Sequence, residues 1–321
     1  MATTIMPESA PSSEISPTPA PAPSARSVLS RAHRDLVTIT KARLSTLVVI
    51  TTLCGYLAAA KAGGTGIQGF TLMHLLIGTV LAAFGSAVFN QLMEVDADAR
   101  MERTSDRPLP ARRMSTGVAF VLGWVLAAFG ILHLAMKVNA GAAAFAAATL
   151  LSYLFVYTPM KRRSSGNTLV GAVSGALPPL IGWAGGGGDP WSWGAAYWFL
   201  ALFLWQLPHF VAINWMYREE YERGGFVMWS NGDTSGSLTA RLALGFSVAV
   251  LLLPILPVAT SVMAPWFLVP GMAAGGAMVW LAWRFHRSRD RRDARTLFFF
   301  TLLYLPLVLI ASLLAWKPMV P

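Results

Sequence analysis

Nine stretches of predominantly apolar residues constrain this chain more than any other feature, each being close to the roughly 20 residues a helix needs to cross a bilayer. They fall at about 44–61, 69–93, 117–136, 140–158, 167–187, 192–216, 241–262, 264–283 and 296–316. Composition agrees, since 55% of the 321 residues are hydrophobic and only 12% charged, with a mean hydropathy of +0.54. A water-soluble fold is excluded. The expected fold class is all-α: a polytopic integral membrane protein with nine transmembrane helices.

Charge placement tests that count, because lysine and arginine gather on the cytoplasmic side of spans. Of the 25 lysines and arginines, all but Lys61, Lys137 and Lys317 fall before the first span or in segments that the count puts on the same side. This predicts a cytoplasmic N-terminus and an outside C-terminus, with the lipid bilayer itself as a partner; the expected location is a bacterial inner membrane. The net charge of +10 is thereby accounted for by topology, and no nucleic-acid partner is expected.

Residues 1–30 carry Pro7, Pro11, Pro17, Pro19, Pro21 and Pro23 among Ser, Ala and Thr, and read as a disordered cytoplasmic tail before one domain over 31–321. Glu8, Glu14 and the late first arginine, Arg26, argue against a mitochondrial transit peptide, and a secretory signal's apolar core is missing. The one cysteine, Cys54, excludes an internal disulfide and a cysteine-based metal cluster.

Positive-inside bias does not explain why carboxylates cluster at the ends of two spans. In the first cluster Asn90, Glu94 and Asp98 recur every fourth residue, on one helical stripe continuing the second span, with Asp96 pointing elsewhere. Three oxygen donors on one stripe suit Mg²⁺, or else a solvated helix end. The loop that follows holds Arg100, Arg103, Arg107, Arg112 and Arg113, and guanidinium groups beside a magnesium site suit a diphosphate. Tyr157 and Lys161 are four apart at the end of the fourth span, ahead of Arg162, Arg163 and Asn167; they fit a phosphate clamp or an interfacial Tyr with a snorkelling Lys. The third cluster runs from Trp205, Gln206, Pro208 and His209 within the sixth span to Arg218, Glu219, Glu220, Tyr221 and Glu222. Polar groups there belong in a protein interior, and His209 suits an iron ligand, a proton relay or an interhelical hydrogen bond. Two acid-bearing ends on one membrane face look like a degenerate repeat above an apolar cavity, a shape that fits an amphiphile with a diphosphate head.

In these motifs the chain resembles the UbiA-type intramembrane prenyltransferases, and within them the haem-farnesylating branch. The resemblance runs from about Lys41 to the last span. It rests on Asn90-x3-Glu94-x-Asp96-x-Asp98 with Met101 to Pro108, on Tyr157-Thr158-x2-Lys161-Arg162 with Asn167, and on Pro178-Pro179-x2-Gly182-Trp183. Trp205-Gln206-x-Pro208-His209-Phe210, Tyr217-Arg218-x-Glu220-Tyr221 and Arg295-x-Leu297-Phe298 resemble the haem branch in particular.

The resemblance implies a nine-helix prenyltransferase bundle that moves a farnesyl group from farnesyl diphosphate to the 2-vinyl group of haem B, giving haem O. Mg²⁺ is the implied cofactor and haem a substrate; haem A synthase or terminal-oxidase assembly factors are implied partners. It makes Asn90, Glu94, Asp98 and Glu220 the catalytic metal ligands. Lys41, Arg43, Arg103, Arg107, Tyr157, Lys161, Asn167, Arg218 and Tyr221 become substrate-binding, and Gln206 and His209 lie near the haem. Glu94 and Glu220 stand where Asp is usual, and Ala42 replaces the usual Pro after Lys41. The rival readings are a prenyltransferase for another aromatic acceptor, such as a quinone precursor, and a transporter or haem-binding membrane protein.

Overall fold

The computed structural model describes residues 25–64 and 66–318. Among them nine helices are long and apolar enough to cross a membrane. A short helix, α1 (Ala25–Ile39), leads into the spans α2 (Ala42–Ala62) and α3 (Gly69–Met93). After α4 (Val95–Arg100) come α5 (Thr116–Lys137), α6 (Ala140–Met160), α7 (Asn167–Gly185) and α8 (Trp193–Met216). A second short helix, α9 (Arg218–Gly224), precedes the spans α10 (Ser237–Ala259), α11 (Pro265–Ser288) and α12 (Arg291–Ala315).

Each expected span is present, with the larger boundary differences at the arginine-rich face. There α10 starts at Ser237 and α12 at Arg291, because Arg241, Arg292 and Arg295 extend the helices with their heads in the polar zone. The tail expectation meets the structure only over Ala25–Ser30, which begin α1 instead of remaining irregular; its other residues, 1–24, lie outside the described residues.

Lipid provides no hydrophobic drive between spans, so packing depends on how closely backbones approach. Between α2 and α7 a Cβ on Gly182 would stand 1.8 Å from the Thr52 carbonyl oxygen, and one on Gly55 would stand 2.0 Å from that of Pro179. These two glycines set the helix spacing. Gly78 and Gly85 play the same part where α3 meets α5. α7 is the most buried span and contacts α2, α6 and α8, which places it at the centre. On its far side α8, α10, α11 and α12 share a core that includes Trp198, Phe267, Met278 and Phe285.

Three irregularities shape the arginine-rich end. α3 stops at Glu94 (φ −109°, ψ 10°), whose N–H donates to both Asn90 and Gln91 carbonyls, and α4 restarts from it. The single continuous stripe expected for Asn90, Glu94 and Asp98 is therefore broken at its middle residue. The acids gain from this, since Asp96 and Asp98 fall in the first turn of α4 at the positive end of its dipole. α8 breaks in the same way at Tyr217, and α9 carries Glu219 and Glu220 in its first turn. In α6 a π-helical turn spans Ser152–Tyr157 and resets the phase of the residues after it. Pro208, by contrast, sits inside an unbroken α8.

Candidate active site

α4 and α9 pack against each other, so the two acidic helix ends meet. Ala97, Met101, Phe226 and Met228 form a buried cluster with Tyr221 against it, and the Arg100 guanidinium donates to the Gly224 carbonyl at 3.1 Å. Beneath this contact lies a polar cavity of about 260 Å³. Its walls include Lys41, Glu94, Asp98, Arg103, Arg107, Tyr157, Lys161, Asn167 and Tyr221. The structure thus collects residues from five separate segments that the sequence reading had assigned to one chemistry.

Within the cavity acids and bases are paired. Lys161 Nζ donates to Glu94 Oε1 at 2.8 Å, and Arg107 Nη1 to Asp98 Oδ2 at 2.6 Å. Glu94 is 5% exposed and Asp98 1%, so these pairs sit in a medium where charge interactions are strong. Burial opposes the charged forms, yet Lys161 and Lys41 hold the Glu94 carboxyl below its usual range. Burial likewise works against the Lys161 ammonium, but Glu94 raises its pKa and keeps it charged. Lys41 is different, because burial prevails and lowers it to about 7 despite Glu94. It occupies the left-handed region (φ 46°) between α1 and α2, a conformation that costs a non-glycine residue about 1 kcal/mol. The reward is position: its ammonium donates to Asn90 Oδ1.

Asn90 itself is fully buried and lines neither this cavity nor the next. Its Nδ2 donates to Thr158 Oγ1 at 3.2 Å, so it ties Lys41 to α6 from behind the wall. Asn167 plays a similar part, donating from Nδ2 to the Ser164 and Val227 carbonyls at 2.7 Å each and strapping the 225–230 loop over Lys161. Tyr157 presents its ring face to Lys161, with Nζ 4.6 Å from the ring centroid, rather than a hydroxyl beside the ammonium. Burial raises the Tyr221 phenol, so it lines the cavity as a neutral hydroxyl.

Below the polar cavity lies an apolar one of about 240 Å³ that shares Lys41, Leu44, Tyr157 and Phe210 with it. Its walls come from α2, α3, α6, α7 and α8 and include Val48, Ala82, Ala146, Tyr153, Ile181 and Gln206. Small residues of α7 make room here. A Cβ on Gly171 would fall 2.6 Å from the Tyr157 ring, and one on Gly175 2.1 Å from Gln206 Oε1.

Not every sequence-assigned residue reaches these cavities. Arg43 is exposed and lines neither, and Arg218 pairs with Glu219 at 3.2 Å over the Trp215 ring. His209 faces α12: its Nδ1 is 2.8 Å from Thr301 Oγ1, and its ring stacks on Trp205 and lies against Phe298. The interhelical hydrogen bond, one of its three sequence readings, is the one observed. Glu220 is outside the cavity lining as well, but its Oε2 is buried without a partner.

Asn214 is the residue that the sequence reading missed. It lines the polar cavity at 5% exposure with an unpartnered Nδ2. The available signal was an amide eight residues beyond Gln206 on an otherwise apolar span, which is costly unless a partner exists. An amide donor facing the cavity suits a phosphate oxygen. If the cavity takes the diphosphate ester that the sequence motifs lead one to expect, Asn214→Leu raises the KM for that ester about tenfold, the worth of one hydrogen bond to a charged group, without lowering protein levels. Steady-state kinetics of the purified variant check this, and an unchanged KM refutes it.

Among the described residues no three His, Cys, Asp or Glu side chains converge as a ready metal cage. The donor chemistry nonetheless fits a hard divalent cation. Glu94 and Asp98 supply buried carboxylates on the cavity wall, and the orphaned Glu220 oxygen is a buried acceptor without a donor. Mg²⁺ takes few protein ligands and shares substrate phosphates, so a complete protein cage is not required.

The sequence profile of the UbiA prenyltransferase family matches residues 48–304. The chain is 43% identical over 279 residues to the protoheme IX farnesyltransferase of Opitutus terrae, covering 86% of this chain and 92% of that protein. It is 37% identical over 283 residues to the protoheme IX farnesyltransferase of Solibacter usitatus, covering 86% and 96%. In fold it is similar to a digeranylgeranylglyceryl phosphate synthase, with a TM-score of 0.72 at 13% identity over 89% of this chain and 98% of that one. A UbiA homologue from Archaeoglobus fulgidus bound to GPP and Mg²⁺ superposes with a TM-score of 0.57 at 13% identity, covering 87% and 99%. The profile match over most of the chain and the identity to these relatives over nearly their whole length show that this chain belongs to the UbiA prenyltransferase family.

Proposed function

We propose that this protein transfers the farnesyl group of farnesyl diphosphate to the 2-vinyl group of haem B, with addition of water, giving haem O. The observation that carries the prenyl-transfer chemistry is the junction of the two cavities, where Lys41, Leu44, Tyr157 and Phe210 line both the charged chamber and the apolar one. A diphosphate head and a hydrocarbon tail need that adjacency. The choice of haem B as acceptor is supported by relatives that carry the protoheme IX farnesyltransferase name at 37–43% identity over nearly their whole length.

In this reading Lys161, Arg107 and Lys41 exchange their present partners for diphosphate oxygens, with Arg103, Tyr221 and Asn214 completing the shell. Glu94, Asp98 and Glu220 would hold Mg²⁺, which when bound neutralises the leaving group. The C1–O bond of the farnesyl chain breaks with its electron pair going to pyrophosphate. The allylic cation lies at the cavity junction, where the Tyr157 and Tyr153 rings, centroids 5.4 Å apart, offer aromatic faces and the apolar walls exclude water. The vinyl group attacks C1, water adds to the carbon next to the porphyrin, and a proton is released. His209 supports this site by fixing α8 to α12, with no contact to the reacting atoms assigned to it.

Positive-inside bias supports a cytoplasmic location for the arginine-rich face, and the bacterial relatives support a bacterial inner membrane as the site. Mass spectrometry of membrane haems from cells with and without this protein tests the reading. Haem carrying a hydroxyethylfarnesyl group, appearing only with expression, is the expected result. Pyrophosphate release without a farnesylated haem would move the acceptor to another aromatic compound.

A further inference from the structure

Outside the active site, on the arginine-rich face, α1 and the segment between α4 and α5 enclose a third, polar bay of about 620 Å³. Arg103 and Arg107 line both this bay and the diphosphate cavity, so the two adjoin. The acids of the bay are already taken. Arg113 engages Asp35 through Nε and Nη2 at 2.9–3.1 Å and Asp106 through Nη1 at 2.8 Å. Arg107 is held by Asp98. What remains is a surplus of positive charge. Arg31 and Arg34, three residues apart on one face of α1, have no side-chain partner among the described residues, and Arg103 has only the Tyr217 ring at 5.6 Å.

Positive-inside bias accounts for arginines on this face but not for two unpartnered ones lining a concave bay that shares a wall with the active site. Like charges three apart on a helix repel, and an anion with two oxygen-bearing arms relieves that. The diphosphate cannot be this anion, because Lys41, Lys161 and Arg107 already surround the place of its head. Of the two proposed substrates only haem brings further negative charge, as two carboxylates on one edge, away from the vinyl group that must reach the cation.

We infer that Arg31 and Arg34 in this bay bind the two propionates of the acceptor, which orients haem with its acid edge on the arginine-rich face and its vinyl edge toward Tyr157. This rests on the haem reading above. It assigns α1 a role in acceptor recognition beyond that of a leader to the first span.

The test uses the full-length protein in phosphatidylcholine vesicles with Mg²⁺ and farnesyl diphosphate, comparing haem B with its dimethyl ester. Arg31→Gln/Arg34→Gln should raise the KM for haem B about tenfold, while the KM for farnesyl diphosphate stays unchanged and reports an intact fold. The ester should cost the wild type a similar factor and cost the double variant nothing more, because charge and receptor have both gone. Penalties that multiply, or an unchanged haem KM, overturn the inference. So does a variant effect that appears only when phosphatidylglycerol is added, since the bay would then be a lipid-headgroup site. Failure of the haem reading is distinct: the wild type itself would make no farnesylated haem.

Discussion

Glu94→Gln and Asp98→Asn are each expected to lower kcat/KM for farnesyl transfer at least about a hundredfold, whereas Asp96→Asn costs less than about threefold. Glu94 and Asp98 are buried carboxylates on the cavity wall, while Asp96, between them in sequence, is exposed. The amide replacements keep shape and one acceptor oxygen but remove the charge that a divalent cation requires.

A complication follows from the ion pairs. Removing the Glu94 charge leaves Lys161 at 12% side-chain exposure without its counter-charge, and breaking a buried pair costs about 3 kcal/mol. Glu94→Gln should therefore also reduce thermal stability. Glu94→Gln/Lys161→Gln should recover that stability but not the activity. Kinetics normalised to folded protein, together with thermal melting, separate the two effects. Equal activity losses at positions 94, 96 and 98 would show that the acidic end acts as a diffuse surface field and that no particular carboxylates are placed at the site.

How far the sequence led is clearest at this same segment. The spans were legible because about 20 apolar residues in a row have few other fates. The acids were legible because carboxylates at the end of a span need a reason to be there. Their directions were not. A 3.6-residue period put Asn90, Glu94 and Asp98 on one stripe, but the break at Glu94 turns Asn90 into the wall and leaves Glu94 and Asp98 in the cavity. The π-turn at Ser152–Tyr157 sets how Tyr157 meets Lys161, and no local residue type announces it. His209 and Gln206 share one motif, yet Gln206 faces the apolar cavity over Gly175 while His209 faces Thr301. Periodicity says which residues share a face; tertiary packing decides where that face points. α1 was missed for a related reason, since its apolar residues are too few for a span and its exposed Leu29, Leu36 and Val37 make sense only at an interface.

Lys161→Ala is expected to reduce kcat/KM for farnesyl diphosphate about a hundredfold and to weaken inhibition by pyrophosphate, with the KM for the acceptor and the membrane topology unchanged. Sequence alone offered two roles for this lysine, and the geometry separates them. A topology anchor points its ammonium into water, as exposed Arg162 and Arg163 do. Lys161 instead turns inward, 2.8 Å from Glu94 and over the faces of Tyr157 and Phe226 at 4.6 and 5.6 Å. Glu94 keeps it protonated against the burial penalty, so a fixed positive charge waits where the diphosphate head would lie. Alanine removes that charge, while Arg162 and Arg163 remain to hold the loop on its side of the membrane. Arg162→Ala and Arg163→Ala should accordingly leave kinetics near wild type. Two measurements decide the matter: a topology reporter fused at the C-terminus, and initial rates over a range of farnesyl diphosphate. An inverted reporter, or rates equal to wild type, would return Lys161 to the anchors and leave Lys41, Arg103 and Arg107 as the cavity's phosphate-binding cations.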